Sequence, residues 1–249
     1  MGPIILVISV IVYAIFFAAF LYLVAFVGGD MIPLVHVPKT LDWGASLAPG
    51  APAALINIGV LLLFALQHSI MARGGFKRGW IKIVPPPLER SAYVLATVVV
   101  LVVIYAYWAP MPAVVWSVTS PIWSGVLIAA FYIGFGMVLL STFLINHFEL
   151  FGLYQAWKRL KKEPIPKPEF RTPLLYRFVR HPLYLGFLIA FWATPTMTVG
   201  HLLFSAIWTF YIFIAIGYEE RDLIGLFGEK YADYMRKTPS ILPFGGRRQ

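Results

Sequence analysis

The chain has no cysteine. That absence removes disulfides, thiolate zinc sites, iron–sulfur clusters and a cysteine nucleophile at once. Charge is also scarce, at 12% of the 249 residues, while 60% are hydrophobic; a water-soluble domain carries about twice that charged share. No G-x-G-x-x-G follows a candidate strand, so a Rossmann-type dinucleotide or methyl-donor fold is not indicated. What remains is a chain whose natural solvent is lipid, provided its apolar residues come in long runs.

They do. Ile4 to Val27 is an uncharged run of 24 residues, long enough to cross about 30 Å of hydrocarbon. It lacks the basic start and small-residue cleavage site of a secretory leader, so a retained first helix is expected. Ala53 to Met71, Ser91 to Trp108 and Pro121 to Ile145 read as three more spans, the last opened by a proline suited to a helix's first turn. Leu183 to Tyr218 is apolar but too long for one helix. Thr194-Pro195 and Gly200 break it into a hairpin. The expected fold is all-α: a polytopic membrane bundle with four full spans and a C-terminal helical hairpin, five to six membrane helices in all. One membrane domain over 1–249 suffices, with a four-helix part at 1–150 and a hairpin and tail at 171–244.

The formal net charge is +9, and its placement matters more than its size. Residues 73–90 hold five Lys or Arg, residues 146–181 hold eight, and the tail from Arg221 holds six. Of the intervening loops, residues 28–52 hold one lysine (Lys39) and two aspartates, and the others hold no charge. Alternation of basic and non-basic loops predicts that both termini and the basic loops lie on the cytoplasmic side of the membrane. Basic residues so placed report membrane orientation and lipid contact, not nucleic-acid binding.

Polar groups are costly in lipid, so those near span ends need a reason. His68 ends the second span, Asn146-His147 the fourth, Arg180-His181 opens the hairpin, and Glu219-Glu220 closes it. All fall on the basic, cytoplasmic side; His36 and His201 fall on the other. Any one alone is readily a cap or a helix–helix hydrogen bond. Together they predict a polar site at one membrane level, where carboxylates and aromatic faces suit an ammonium or a sulfonium. Tyr184 follows His181 by three residues, on the same helix face, and Tyr231 and Tyr234 share that spacing. The scattered methionines and tryptophans suggest packing and an interface belt, and no metal site is expected.

These residues carry a resemblance. Arg180-His181-Pro182-Leu183-Tyr184 resembles the R-H-P-x-Y signature of the isoprenylcysteine carboxyl methyltransferase-like superfamily, and Glu219-Glu220, Phe227-Gly228, Tyr231, Tyr234, Pro239 and Pro243 resemble its E-E and F-G-x-x-Y-x-x-Y tail. In the amino-terminal half, Gln67-His68-Ser69-Ile70-Met71-Ala72-Arg73 and Asn146-His147-Phe148-Glu149-Leu150-Phe151-Gly152-Leu153 resemble the bacterial methanethiol S-methyltransferase branch. Membrane proteins associated with nitric-oxide reductase share part of that pattern. The resemblance implies an S-adenosyl-L-methionine site lined by Arg180, His181, Pro182, Tyr184, Glu219, Glu220, Tyr231 and Tyr234, and methyl transfer to a small thiol. A thiolate is the competent nucleophile, so a base is needed. His147 is the first choice, with His68 as helper and Asn146 beside it, although the residue types alone leave either histidine in the role. Competing expectations are a haem protein using His68 and His147 as axial ligands, a methyltransferase acting on an isoprenylcysteine or lipid acceptor, and a transporter. The sequence gives no oligomeric state.

Overall fold

The fold is described from a computed structural model, which covers residues 2–33, 36–48 and 52–242; Pro243 of the tail motif lies outside them. Ten α-helices occur among these residues: α1 (Gly2–Gly28), α2 (Ala53–Ala72), α3 (Gly74–Trp80), α4 (Glu89–Tyr107), α5 (Pro121–Ile145), α6 (His147–Leu150), α7 (Leu153–Lys161), α8 (Pro182–Trp192), α9 (Val199–Phe227) and α10 (Glu229–Lys237). Five segments are long and apolar enough to cross a membrane: Gly2–Met31, Ala53–Ala72, Pro86–Tyr107, Pro121–Ile145 and Val199–Phe227. Their outward faces are apolar, with Ile4, Leu55, Val99, Ile122 and Phe210 all exposed. That pattern suits hydrocarbon and not water, and the chain is an integral membrane protein.

The hairpin departs in detail from the expected one. Its first helix, α8, has 11 residues and spans roughly 16 Å, about half the hydrocarbon thickness. Its second, α9, has 29 residues and continues nine residues beyond Tyr218. Glu219 and Glu220 therefore sit two turns inside a helix and do not close the hairpin. The extension follows from helix-forming residues through Phe227 and stops at Gly228, whose φ of +59° suits a residue without Cβ. Between α4 and α5, and again between α8 and α9, the chain is briefly extended: β1 (Val114–Ser117) and β2 (Thr196–Thr198) form a two-stranded sheet that the hydropathy pattern did not reveal.

The chain forms two compact units. The first comprises Met1–Val115, His147–Pro166 and Thr198–Phe204. Within it α1 packs on α4 and α7, and α2 packs on α4. Several polar groups here are paired, as lipid favours. Ser91 donates to Ser9 at 2.9 Å, and the Tyr105 hydroxyl donates to the Ala19 carbonyl at 2.9 Å. Buried Asn57 satisfies both backbone groups of Ala109, each at 2.8 Å. Lys39 is 6% exposed and donates to the Ala106 carbonyl at 2.9 Å, while burial pushes its ammonium pKa down. These bonds tie the loop after α1 to the end of α4.

The second unit comprises Trp116–Asn146, Lys167–Met197 and Ser205–Gln249. Its tightest packing joins α5 to α8, where two glycines let the backbones meet. A Cβ added at Gly134 would lie 2.6 Å from the Ala190 nitrogen, and one at Gly186 would lie 2.7 Å from the Gly134 carbonyl oxygen. Small residues at a lipid-embedded crossing permit this approach. Gly136, two residues along α5, faces open space. Gly186→Ala should therefore lower the unfolding midpoint in detergent, with overpacking costing about 1–3 kcal/mol, whereas Gly136→Ala should leave it unchanged or raised. Equal midpoints for the two variants would contradict the close crossing.

Candidate functional site

Pro182 occupies the first turn of α8, where its missing N–H costs no hydrogen bond. That start places Arg180 and His181 just ahead of the helix, and both reach Glu220 of α9. Glu220 Oε1 accepts from Arg180 Nε at 2.9 Å and from His181 Nε2 at 3.0 Å, and Arg180 Nη2 lies 2.7 Å away. The Arg180 side chain is 11% exposed and that of Glu220 15%, so the pair is largely shielded from solvent. Arg180 Nη1 also donates to the carbonyls of Met235 at 3.1 Å and Thr238 at 2.5 Å. The backbone N–H groups of Arg180 and His181 bond Pro239 and Ser240 at 2.9 and 3.0 Å. One arginine thus joins the start of α8, the inside of α9 and the chain after α10.

The neighbouring carboxylate is arranged differently. Glu219 Oε2 is itself shielded and has no hydrogen-bond partner among the described residues, although the side chain as a whole is 43% exposed; His181 Nδ1 lies 3.7 Å from it, beyond hydrogen-bond distance but within ion-pair reach. The Tyr231 hydroxyl is likewise buried and without a partner. Tyr231 belongs to α10 and is 2% exposed. Burial, together with the charges of Glu220 and Glu219, pushes its phenol pKa well up. Tyr234 donates to the Tyr176 carbonyl, and burial pushes its pKa up to about 12. The Phe170 ring meets Phe227, Tyr231 and Tyr234 at 5.4, 5.9 and 5.4 Å. The Tyr184 ring lies 5.6 Å from that of His181. The second unit therefore brings Arg180, His181, Tyr184, Glu219 and Glu220 together, with Tyr231 and Tyr234 joined through Phe170.

Buried polar atoms without partners are rare and need a reason. Here one is a carboxylate oxygen and the other a phenol, in a setting of aromatic rings and one fixed cation. An ammonium or a ribose hydroxyl would satisfy the carboxylate, and aromatic faces accept a sulfonium. The residues present fit such a ligand.

The histidines of the amino-terminal motifs belong to the first unit, and each is held by a tyrosine. The Tyr93 hydroxyl lies 2.8 Å from His68 Nε2, and Thr97 Oγ1 lies 3.4 Å from its Nδ1. Thr97 donates its hydroxyl proton to the Tyr93 carbonyl at 3.0 Å. It can therefore only accept from His68 Nδ1–H, and the Tyr93 hydroxyl also donates to the His68 carbonyl at 3.4 Å. His68 is engaged at both ring nitrogens. His147 is 4% exposed; the Tyr13 hydroxyl lies 2.8 Å from its Nε2, and burial pushes its pKa below the usual 6.5. Tyr93 and Phe151 are buried in one apolar cluster with Val12 and Val94, and Tyr13, Phe16, Met71 and Leu150 pack against it. Axial ligation of haem through Nε2 of both rings would require breaking both tyrosine contacts. Asn146 ends α5, in the second unit, with extended backbone (φ −178°) that breaks the helix before α6.

Sequence reasoning missed Tyr13, Tyr93 and Thr97. The only signal was a hydroxyl placed within each apolar run, 134 residues from its histidine in the case of Tyr13. It also missed Phe170 and Tyr176, which lie in a basic loop otherwise read for its charge.

Comparison with known proteins bears on this arrangement. The NnrU protein family matches residues 56–238. Methanethiol S-methyltransferase 1 of Bradyrhizobium diazoefficiens is 47% identical, over 93% of this chain and 79% of its own length. The methanethiol S-methyltransferase of Mycobacterium tuberculosis is 48% identical over 94% of each chain. That of Pseudomonas deceptionensis is 51% identical, over 84% of this chain and 79% of its own length. No solved structure matches the chain. Identity at this level spans both sets of motifs, and the chain belongs to the NnrU protein family together with these methanethiol S-methyltransferases.

Proposed function

We propose that the protein is an S-adenosyl-L-methionine-dependent methyltransferase that converts methanethiol to dimethyl sulfide. The observation that carries the cofactor reading is the pair of buried, unpartnered atoms, Glu219 Oε2 and the Tyr231 hydroxyl. The acceptor comes from the activity for which relatives 46–51% identical over most of the chain are named. When bound, S-adenosylmethionine supplies a methyl group activated on a sulfonium.

The residues then divide by chemistry. Arg180, His181, Pro182, Tyr184, Glu219, Glu220, Tyr231 and Tyr234 hold the cofactor. Among them Glu220 is engaged by Arg180 and His181, so its task is to fix those two side chains. Glu219 receives the cationic or hydroxyl donors, and the Tyr231 phenol, kept protonated by its raised pKa, offers a hydrogen bond. His147 takes the proton from the thiol, leaving the thiolate that reacts. His68, engaged by Tyr93 and Thr97, orients its surroundings, and Asn146 sets the backbone turn ahead of His147. The alternation of basic loops supports a cytoplasmic side of the bacterial inner membrane for this chemistry and for both termini.

Cells expressing the protein and fed methanethiol should accumulate dimethyl sulfide in the headspace, measured by gas chromatography. Its absence, with folded protein and S-adenosylmethionine present, would remove the thiol acceptor. His147→Ala should reduce turnover on the order of 100-fold while donor binding stays within about twofold of wild type. Loss of donor binding to the same degree would place His147 with the cofactor instead.

Burial lowers the pKa of His147, so the neutral, proton-accepting ring persists below pH 6.5 and is lost only as pH falls through the lowered value. The acid limb of the kcat profile should accordingly lie below pH 6.5. A limb above pH 7 would contradict a buried neutral base.

A further inference from the structure

The first unit carries two grooves that share one residue. The apolar one, of about 430 Å³, is lined by Ile4, Ile5 and Ile8 of α1 and by Pro85, Pro86, Pro87 and Leu88. The polar one, of about 860 Å³, is lined by Lys162 and Glu163 beside Gly2, Pro3 and Leu160. Arg159 lines both. Each volume falls within the roughly 300–1,000 Å³ of small-molecule sites. Close packing brings the two together. A Cβ added at Gly2 would lie 3.1 Å from Leu160 Cα and 3.7 Å from the Arg159 carbonyl oxygen, and α7 also packs on the segment at 86–88.

Exposed isoleucines are ordinary in a span that faces hydrocarbon, and the proline segment suits the same solvent. Its three prolines bring no N–H, and the Leu88 N–H is spent on the Pro85 carbonyl at 2.8 Å, so no backbone donor is left facing a chain of methylenes. What distinguishes this surface is that its apolar lining ends on a cation. α7 stops at Lys161, Lys162 takes the left-handed conformation (φ 59°), and Glu163 pairs with Lys158 at 2.7 Å. The carboxylate of the polar groove is thereby committed. Among the described residues the Arg159 and Lys162 side chains have no ion-pair or hydrogen-bond partner. Lys161 lies 5.1 Å from the centre of the exposed Trp157 ring, an aromatic and basic pairing typical of the membrane–water boundary.

We propose that the two grooves together hold one glycerophospholipid with an anionic headgroup. Its phosphate binds Arg159 and Lys162 in the polar groove, and an acyl chain lies along Ile4, Ile8 and the prolines in the apolar one. A guanidinium takes a phosphate through two parallel N–H···O bonds. A zwitterionic headgroup brings its own cation and gains less from two uncompensated ones. A free anion would use the polar groove alone and leave the apolar one unfilled. The lipid is then a ligand of the folded first unit and stabilises it by mass action.

The test is native mass spectrometry of the full chain in detergent, titrated with phosphatidylglycerol or with phosphatidylcholine of the same acyl chains. Unfolding midpoints are measured alongside. Phosphatidylglycerol should bind about tenfold tighter than phosphatidylcholine or better and raise the midpoint. Arg159→Ala should remove that preference without lowering the lipid-free midpoint. Ile8→Trp fills the apolar groove and keeps every charge, and should weaken both lipids at least about fivefold. Lys230→Ala, at an exposed position of α10 in the other unit, should change neither. Equal affinity for the two lipids in the wild type would overturn headgroup recognition. A loss in Lys230→Ala equal to that in Arg159→Ala would reduce the effect to general charge attraction and overturn the site. Inorganic phosphate alone raising the midpoint as far as phosphatidylglycerol would overturn the lipid in favour of a free anion. Full phosphatidylglycerol affinity in Ile8→Trp would overturn the placement, and this comparison decides the question should Arg159→Ala fail to fold.

Discussion

Glu220 sits two turns before the end of a 29-residue helix that is otherwise apolar enough to cross a membrane. A carboxylate in that position is tolerable only if its charge is balanced and its lone pairs are used. Arg180 and His181 meet both requirements, and the arginine's remaining donors reach the carbonyls of Met235 and Thr238. The second unit is organised around this one ion pair. It joins the chain just ahead of α8 to α9 and holds the chain after α10 close to both. It also leaves the adjacent Glu219 as the carboxylate with an unused oxygen. Two neighbouring glutamates thus have separate duties: one maintains the structure and the other is available for a ligand.

The same economy of polar groups governs the first unit. Lipid offers no hydrogen bonds, so each polar side chain inside a span either finds a partner or carries a function. Asn57, Ser9, Ser91 and Tyr105 have partners and serve packing. The Tyr93–His68–Thr97 chain is likewise closed on itself. Tyr13 and His147 meet through a hydroxyl–nitrogen contact of 2.8 Å, at a ring whose neutral state burial favours. Chemistry and packing are therefore separated within a membrane protein that has few polar groups to use for either.

Much of this was legible beforehand, and for identifiable reasons. Run length gave the spans, because hydrocarbon thickness sets a minimum helix length whatever the neighbours do. The break at Thr194-Pro195 gave the hairpin, because proline and extended backbone cannot continue a helix. Glu219 and Glu220 were found but misplaced along their helix. Hydropathy marks the end of an apolar run, whereas the helix itself continues through Arg221, Asp222 and Leu223 to Gly228. The tyrosines that hold the histidines were not legible, since Tyr13 and His147 are 134 positions apart and no periodicity links them. Nor could residue type show that His68 is engaged at both ring nitrogens. That depends on a threonine whose proton is already committed to a backbone carbonyl.

The account turns on Glu219 and Tyr231 as the atoms that await the methyl donor, and equilibrium binding of S-adenosylmethionine to the purified protein measures this directly. Wild-type protein should bind, and Glu219→Gln and Tyr231→Phe should each bind at least about tenfold more weakly, with unfolding midpoints no lower than wild type. Unchanged affinity in both variants would contradict the account and place the cofactor elsewhere.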